Sequence, residues 1–115
     1  MSEIKNLSAG EYLIRENEES TEMYFLQKGT CAVFKRQGDA EKQIGTIYAG
    51  ELVGEMSFLD REPRSASIKA ISECELLAIP IAKFEKYFDE QPSWYKALVN
   101  TLLDRLRKAN NRIRV

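Results

Sequence analysis

Gly50-Glu51-Leu52-Val53-Gly54-Glu55-Met56-Ser57-Phe58-Leu59-Asp60-Arg61-Glu62-Pro63-Arg64-Ser65-Ala66-Ser67-Ile68-Lys69-Ala70 is the stretch on which the reading of this chain turns. A strand is expected to end at Leu52-Val53, where Gly54 lets the backbone turn or approach a ligand closely. Residues 55–59 are expected to form one short helical turn, whose free N–H groups can meet an anion. Pro63 breaks that turn. Arg64 then precedes Ser65, Ala66 and Ser67, small residues that leave main-chain donors accessible. A guanidinium beside exposed amides suits a single phosphate, because its donors are fork-shaped and its charge permanent. Glu55, nine residues earlier, is acceptor-only when ionised and suits a sugar hydroxyl. One anion-binding end and one hydroxyl-binding end together match a ribose-phosphate. The plainer reading, a surface Arg64–Glu55 ion pair, would contribute about 0–1 kcal/mol and bind nothing.

Upstream of this segment the chain reads as short strands separated by turn residues. Strands are predicted over 11–15, 23–27, 30–35, 43–48, 66–71 and 74–79, each rich in Ile, Val, Phe, Tyr or Leu. Gly10, Gly29, Gly38-Asp39, Gly50 and Pro63 punctuate them. Many short strands at this spacing favour a barrel or jelly roll, in which closure limits exposed edges. Past Pro80 the period changes: Ile81, Phe84, Tyr87 and Phe88 mark a short amphipathic helix. Pro92 suits the first turn of a second helix, 92–115, with an apolar stripe at Trp94, Leu98, Leu102, Leu106, Ala109 and Ile113. Val99 and Leu103 lie beside the stripe. A helix of this length offers Leu102, Leu106, Ala109 and Ile113 for self-association or for a partner helix, with simple packing on the barrel as the alternative.

Composition narrows the function classes. The chain has 115 residues, 43% hydrophobic and 30% charged, enough for one compact domain. Its net charge of −1 gives no global field favouring nucleic acid or an anionic membrane. Arg105, Arg107, Lys108, Arg112 and Arg114 make the end of the second helix locally cationic, which complements the helix dipole. Histidine is absent altogether, which removes the commonest ligand of zinc, iron and copper and the usual general base for serine or cysteine nucleophiles. A catalytic site, a metal site and a cofactor are therefore not expected. Glu16, Glu18, Glu19 and Glu22 read as a solvated acidic loop, lacking the turn glycine of a calcium loop. Cys31 and Cys74 each sit in an apolar run and read as core thiols. Trp94 and the Phe and Tyr positions read as core aromatics. No run of about 18 apolar residues and no export signal is seen, so a cytoplasmic, reducing location away from the membrane is expected.

The central segment resembles the phosphate-binding cassette of the cyclic-nucleotide-binding domain family, which includes the sensory domain of bacterial catabolite activator proteins. The resemblance rests on Gly54-Glu55, the short helix after them, and Pro63-Arg64-Ser65-Ala66-Ser67 on the next strand. It extends to Ala9-Gly10-Glu11, to Met23-Tyr24-Phe25-Leu26 followed by Gly29, and to the closing pair of helices. It implies a mainly β fold, a β-roll or jelly roll (double-stranded β-helix) over 1–79 with its cassette at 54–67. Hinge and lid helices over 80–115 complete a single domain.

The same resemblance implies roles. Glu55, with the Gly54 backbone, would accept from the ribose 2′-hydroxyl. Arg64 would pair with the cyclic phosphate, and the amides of Ser65 and Ala66 would complete the cradle, with Met56 and Ser67 also in the cassette. Val33, Ile44, Ile47 and Val53 would wall the ribose and base. Arg105, Ala109 and Asn110 on the last helix would lid the base. The ligand implied is cAMP, with cGMP second, since a serine after the arginine accommodates both. The function implied is a non-enzymatic sensor that relays binding through its C-terminal helix. The rival is a ligand-independent dimerisation module on the same fold. The helical segment that usually precedes the first strand is nearly missing, and no helix-turn-helix follows the last helix, so direct nucleic-acid binding is not expected. The chain reads as a stand-alone or truncated bacterial member acting as a homodimer or on a partner protein.

Overall fold

The computed structural model describes residues 3–55 and 63–113, with side chains to residue 109. It divides into two compact units, Met1–Ile81 and Ala82–Val115. The first unit is a β-roll of two four-stranded antiparallel sheets. One sheet runs in the order β1 (Glu3–Leu7), β8 (Cys74–Pro80), β3 (Glu22–Lys28), β6 (Leu52–Val53). The other runs β2 (Tyr12–Ile14), β7 (Ser67–Ala70), β4 (Thr30–Gln37), β5 (Ala40–Tyr48). Strands from both halves of the sequence thus meet in each sheet.

Alternation along the strands builds the core. In the first sheet Tyr24 lies opposite both Val53 and Ala78, and Leu26 opposite Leu76. In the second, Cys31 lies opposite Ile47 and Ala70, and Val33 opposite Ile68. These residues share the inner faces, and Leu26, Leu76, Val53 and Cys31 are fully buried between the sheets. The corner from β3 to β4 is made by Gly29 at φ +94°, where an added Cβ would collide with the carbonyl oxygen of Glu73. Only glycine permits both that conformation and that approach.

The second unit holds α1 (Ile81–Asp89), apart from its first residue, and α2 (Ser93–Ile113). Phe84 and Phe88 stack on α1 with centroids 5.6 Å apart. The Pro92 carbonyl accepts the Lys96 N–H at 3.1 Å, so the proline closes the first turn of α2 while needing no donor itself. Among the described residues no helix is long and apolar enough to cross a membrane.

Several expectations change. The predicted 11–15 and 66–71 strands shorten to β2 and β7, and the predicted 43–48 strand lengthens to begin at Ala40. β1 was absent from the predicted strands, because Glu3-Ile4-Lys5-Asn6-Leu7 has too few apolar positions to signal one. On α2 the predicted stripe is exposed at Trp94, Leu98, Leu102 and Leu106, whereas Val99, Leu103 and Arg107 are half-buried. The aromatics are likewise not a core set. Tyr24 is buried, but Trp94 is 69% exposed and Tyr48, Tyr87 and Tyr95 are exposed as well. The acidic loop is not merely solvated: residues 16–18 are hydrogen-bonded along the cassette, as described next.

Candidate functional site

A turn at Gly54, a turn at Asn17 and the start of one strand position the site. Gly54 follows β6 at φ +76°, turning the chain just where the buried Val53 ends the strand. Residues 63–66 lead into β7, and their backbone is held from behind by the loop after β2. Arg64 N–H donates to the Glu18 carbonyl at 2.8 Å, Asn17 N–H to the Arg64 carbonyl at 2.8 Å, and Glu16 N–H to Ser67 Oγ at 2.9 Å. Asn17 takes φ +74°, a conformation asparagine tolerates better than most side chains. The loop and the cassette therefore run as a short antiparallel pair outside the regular ladders.

Arg64 is 5% exposed, an unusual place for a guanidinium. Its Nη1 donates to the Gly54 carbonyl at 2.8 Å and its Nη2 to the Glu22 carbonyl. Burial pulls its pKa below the ordinary arginine range, and nearby Tyr24, Glu18, Glu22 and Glu55 act in the opposite direction. The guanidinium is thus a desolvated cation held in place by main-chain carbonyls, and a permanent charge in such a setting attracts an anion.

Beside it lies a cavity of about 320 Å³, lined by Ile14, Val33, Ile47, Glu51, Leu52, Gly54, Glu55, Arg64, Ser65, Ala66 and Ile68. Arg64 and Glu55 therefore share one concavity with Gly54, Ser65 and Ala66 and with the aliphatic Val33, Ile47 and Ile68. Among the described residues neither the Ser65 nor the Ala66 amide donates to a backbone carbonyl. Such a wall offers a cation, main-chain donors, a carboxylate, and apolar surface for a flat ring.

Other candidates fall elsewhere. Val53 is fully buried in the core and does not line the cavity. Ser67 is buried, its hydroxyl occupied by Glu16 N–H. Ile44 is 53% exposed and outside the cavity. It is skipped by the β4–β5 register, where Val33 faces Gly45 and Phe34 faces Gln43, so it is a bulge residue. Arg105 and Ala109 are exposed on α2, Asn110 has no described side chain, and Met56 with the rest of the expected short helix lies outside the described residues. Sequence reasoning missed Ile14, Glu51, Leu52 and Ile68 as lining residues. Ile14 and Ile68 are inward-facing strand positions that a β2–β7 pairing would have placed there.

The chain is similar to known proteins over most of its length. Residues 4–91 match the family model described as cyclic nucleotide-binding domain. The chain is 33% identical over 97 residues to the human potassium/sodium hyperpolarization-activated cyclic nucleotide-gated channel 4, covering 84% of this chain and 8% of that protein. It superposes on the Thermus thermophilus catabolite activator protein with a TM-score of 0.80 at 27% identity, covering 97% of this chain and 53% of the other. The cGMP-bound form of the EAL enzyme Bd1971 shares the fold at a TM-score of 0.80 and 21% identity, over 96% of this chain and 30% of that one. Fold, cassette and family match converge: this chain belongs to the cyclic nucleotide-binding domain family.

Proposed function

We propose that the chain binds one cyclic nucleotide, cAMP in preference to cGMP, and acts as a non-enzymatic regulatory module that needs no cofactor. In this reading the phosphate meets Arg64 and the amides of Ser65 and Ala66, and Glu55 accepts the ribose 2′-hydroxyl beside Gly54. The base lies against Val33 and Ile47. The observation that carries the proposal is that Arg64 and Glu55, nine residues apart in sequence, line one cavity of about 320 Å³. That volume falls at the lower end of the ~300–1,000 Å³ typical of small-ligand sites.

The relay is assigned to α2, at positions Arg105, Ala109 and Asn110, and the effector to a second copy or a partner protein that takes its exposed Leu98, Leu102 and Leu106. A cytoplasmic, bacterial setting belongs to the same proposal. A ligand changes such a helix only by favouring one of its states over another. The channel and enzyme relatives are far longer than this chain, so the activity it controls is part of the proposal too.

Isothermal titration with cAMP and with cGMP tests the proposal. One-to-one heat for cAMP, lost in Arg64→Ala, is expected. A folded chain giving heat with neither nucleotide would overturn it in favour of a ligand-independent dimerisation module, which the exposed apolar line on α2 would then serve.

A further inference from the structure

Lys35 lies one step beyond the last β4–β7 pair, Phe34 with Ser67, and so comes next to Ala66 along the two strands. It follows Cys31 and Val33 on the same face of β4, and Val33 lines the cavity. Its Nζ donates to the carbonyl oxygen of Ser65 at 2.6 Å. Glu16 Oε2 lies 3.8 Å from that ammonium. Glu16 is in turn fixed at both ends, since its Oε1 accepts Arg36 N–H at 3.0 Å and its own N–H donates to Ser67 Oγ at 2.9 Å.

The consequence lies in the peptide that Lys35 grips. The structure contains no cis peptide bond among the described residues, so the Ser65 carbonyl and the Ala66 N–H point in opposite directions from one rigid plane. Holding the carbonyl on Lys35 fixes where the Ala66 donor points. No carbonyl among the described residues takes that donor, and Ala66 lines the cavity. Residues 65 and 66 precede β7, so no ladder bond sets this plane.

We propose that Lys35 is a positioning residue for the anion cradle: by pinning the Ser65 carbonyl, with Glu16 holding its ammonium in place, it preorganises the Ala66 N–H for a phosphodiester oxygen. This rests on the cyclic-nucleotide reading for the identity of the anion, but the pinning itself belongs to the ligand-free chain. Preorganised donors bind more tightly because their ordering is complete before the ligand arrives.

The test compares wild type, Lys35→Met and Lys35→Arg. In ligand-free protein labelled with ¹⁵N-alanine, Lys35→Met is expected to shift the Ala66 amide resonance and speed its hydrogen exchange, and Lys35→Arg to restore both. The cAMP dissociation constant is expected to rise about tenfold in Lys35→Met, with recovery in Lys35→Arg. Binding of adenosine, which has no phosphate, should change in neither. An Ala66 amide unmoved in a folded Lys35→Met chain overturns the proposal, as does an equal loss for cAMP and adenosine. If wild type binds no nucleotide, the functional reading fails on its own, and the Ala66 resonance still decides the role of Lys35.

Discussion

Arg64 Nη1 sits 2.8 Å from the carbonyl oxygen of Gly54, and a Cβ on Gly54 would overlap that same nitrogen. The glycine is therefore demanded twice, by its φ of +76° and by the arginine packed against it. Gly54→Ala is expected to lose about 1–3 kcal/mol from overlap in addition to the conformational cost. Gly38→Ala is the control, because Gly38 has φ +61° with nothing within 4 Å of the added Cβ. It should lose only about 1 kcal/mol, the left-handed penalty alone. Urea midpoints of the two variants provide the measurement.

The Glu55 assignment makes a chemical prediction. If its carboxylate accepts from the 2′-hydroxyl, Glu55→Ala should weaken cAMP by about tenfold or more and leave 2′-deoxy-cAMP nearly unchanged. Equal losses for the two nucleotides would remove Glu55 from that role.

Alkaline stability should report on two buried groups. Desolvation, with Cys74 at 3.7 Å, pushes the Cys31 thiol up to about 12 from an ordinary value of 9.0. Burial, then the Glu22 carboxylate, pushes Tyr24 up from 10.0 to about 12. Both groups hold their proton in the fold and release it earlier when unfolded. Their stabilisation is complete below the unfolded values and is lost as pH climbs towards 12. The urea midpoint should therefore fall steadily above about pH 9, and less steeply in Cys31→Ala and Tyr24→Phe. At pH 8 neither cysteine should react with Ellman's reagent until the chain unfolds.

On α2, Leu102→Gln with Leu106→Gln should leave the thermal transition of the β-roll within about 0.5 kcal/mol of wild type, since both side chains are about half exposed. If the helix joins two copies, sedimentation should show the dimer lost in this variant. Unchanged sedimentation would remove these leucines from the interface.

The cassette was readable because its residue types are chemically singular. A glycine at positive φ, a proline, and an arginine ahead of three small residues leave few alternatives. The neighbouring wall was less readable. Ile44 and Ile47 are three apart, so a strand cannot turn both to one face, and the structure keeps Ile47 at the cavity and Ile44 outside it. The clamp formed by residues 16–18 left almost no trace in composition, because it works through main-chain groups of Asn17 and Glu18 under acidic side chains that suggest only solvent. On α2, apolar spacing gave the helix but not the face. The Leu98, Leu102, Leu106 line and the Val99, Leu103 line are adjacent, and periodicity does not rank them.

The strand order carries a consequence for synthesis. β1 pairs only with β8, and β2 only with β7, so the earliest strands wait for the latest. β4 and β5, joined across Gly38, are the neighbours in sequence that also pair with each other. A growing chain can close that hairpin early, but the sheet holding β2 and β7 is complete only after residue 70, and the sheet holding β1 and β8 only after residue 80, has left the ribosome. Nucleotide capture by a nascent chain would therefore begin abruptly, after the last strand emerges, with no gradual gain as the polypeptide lengthens.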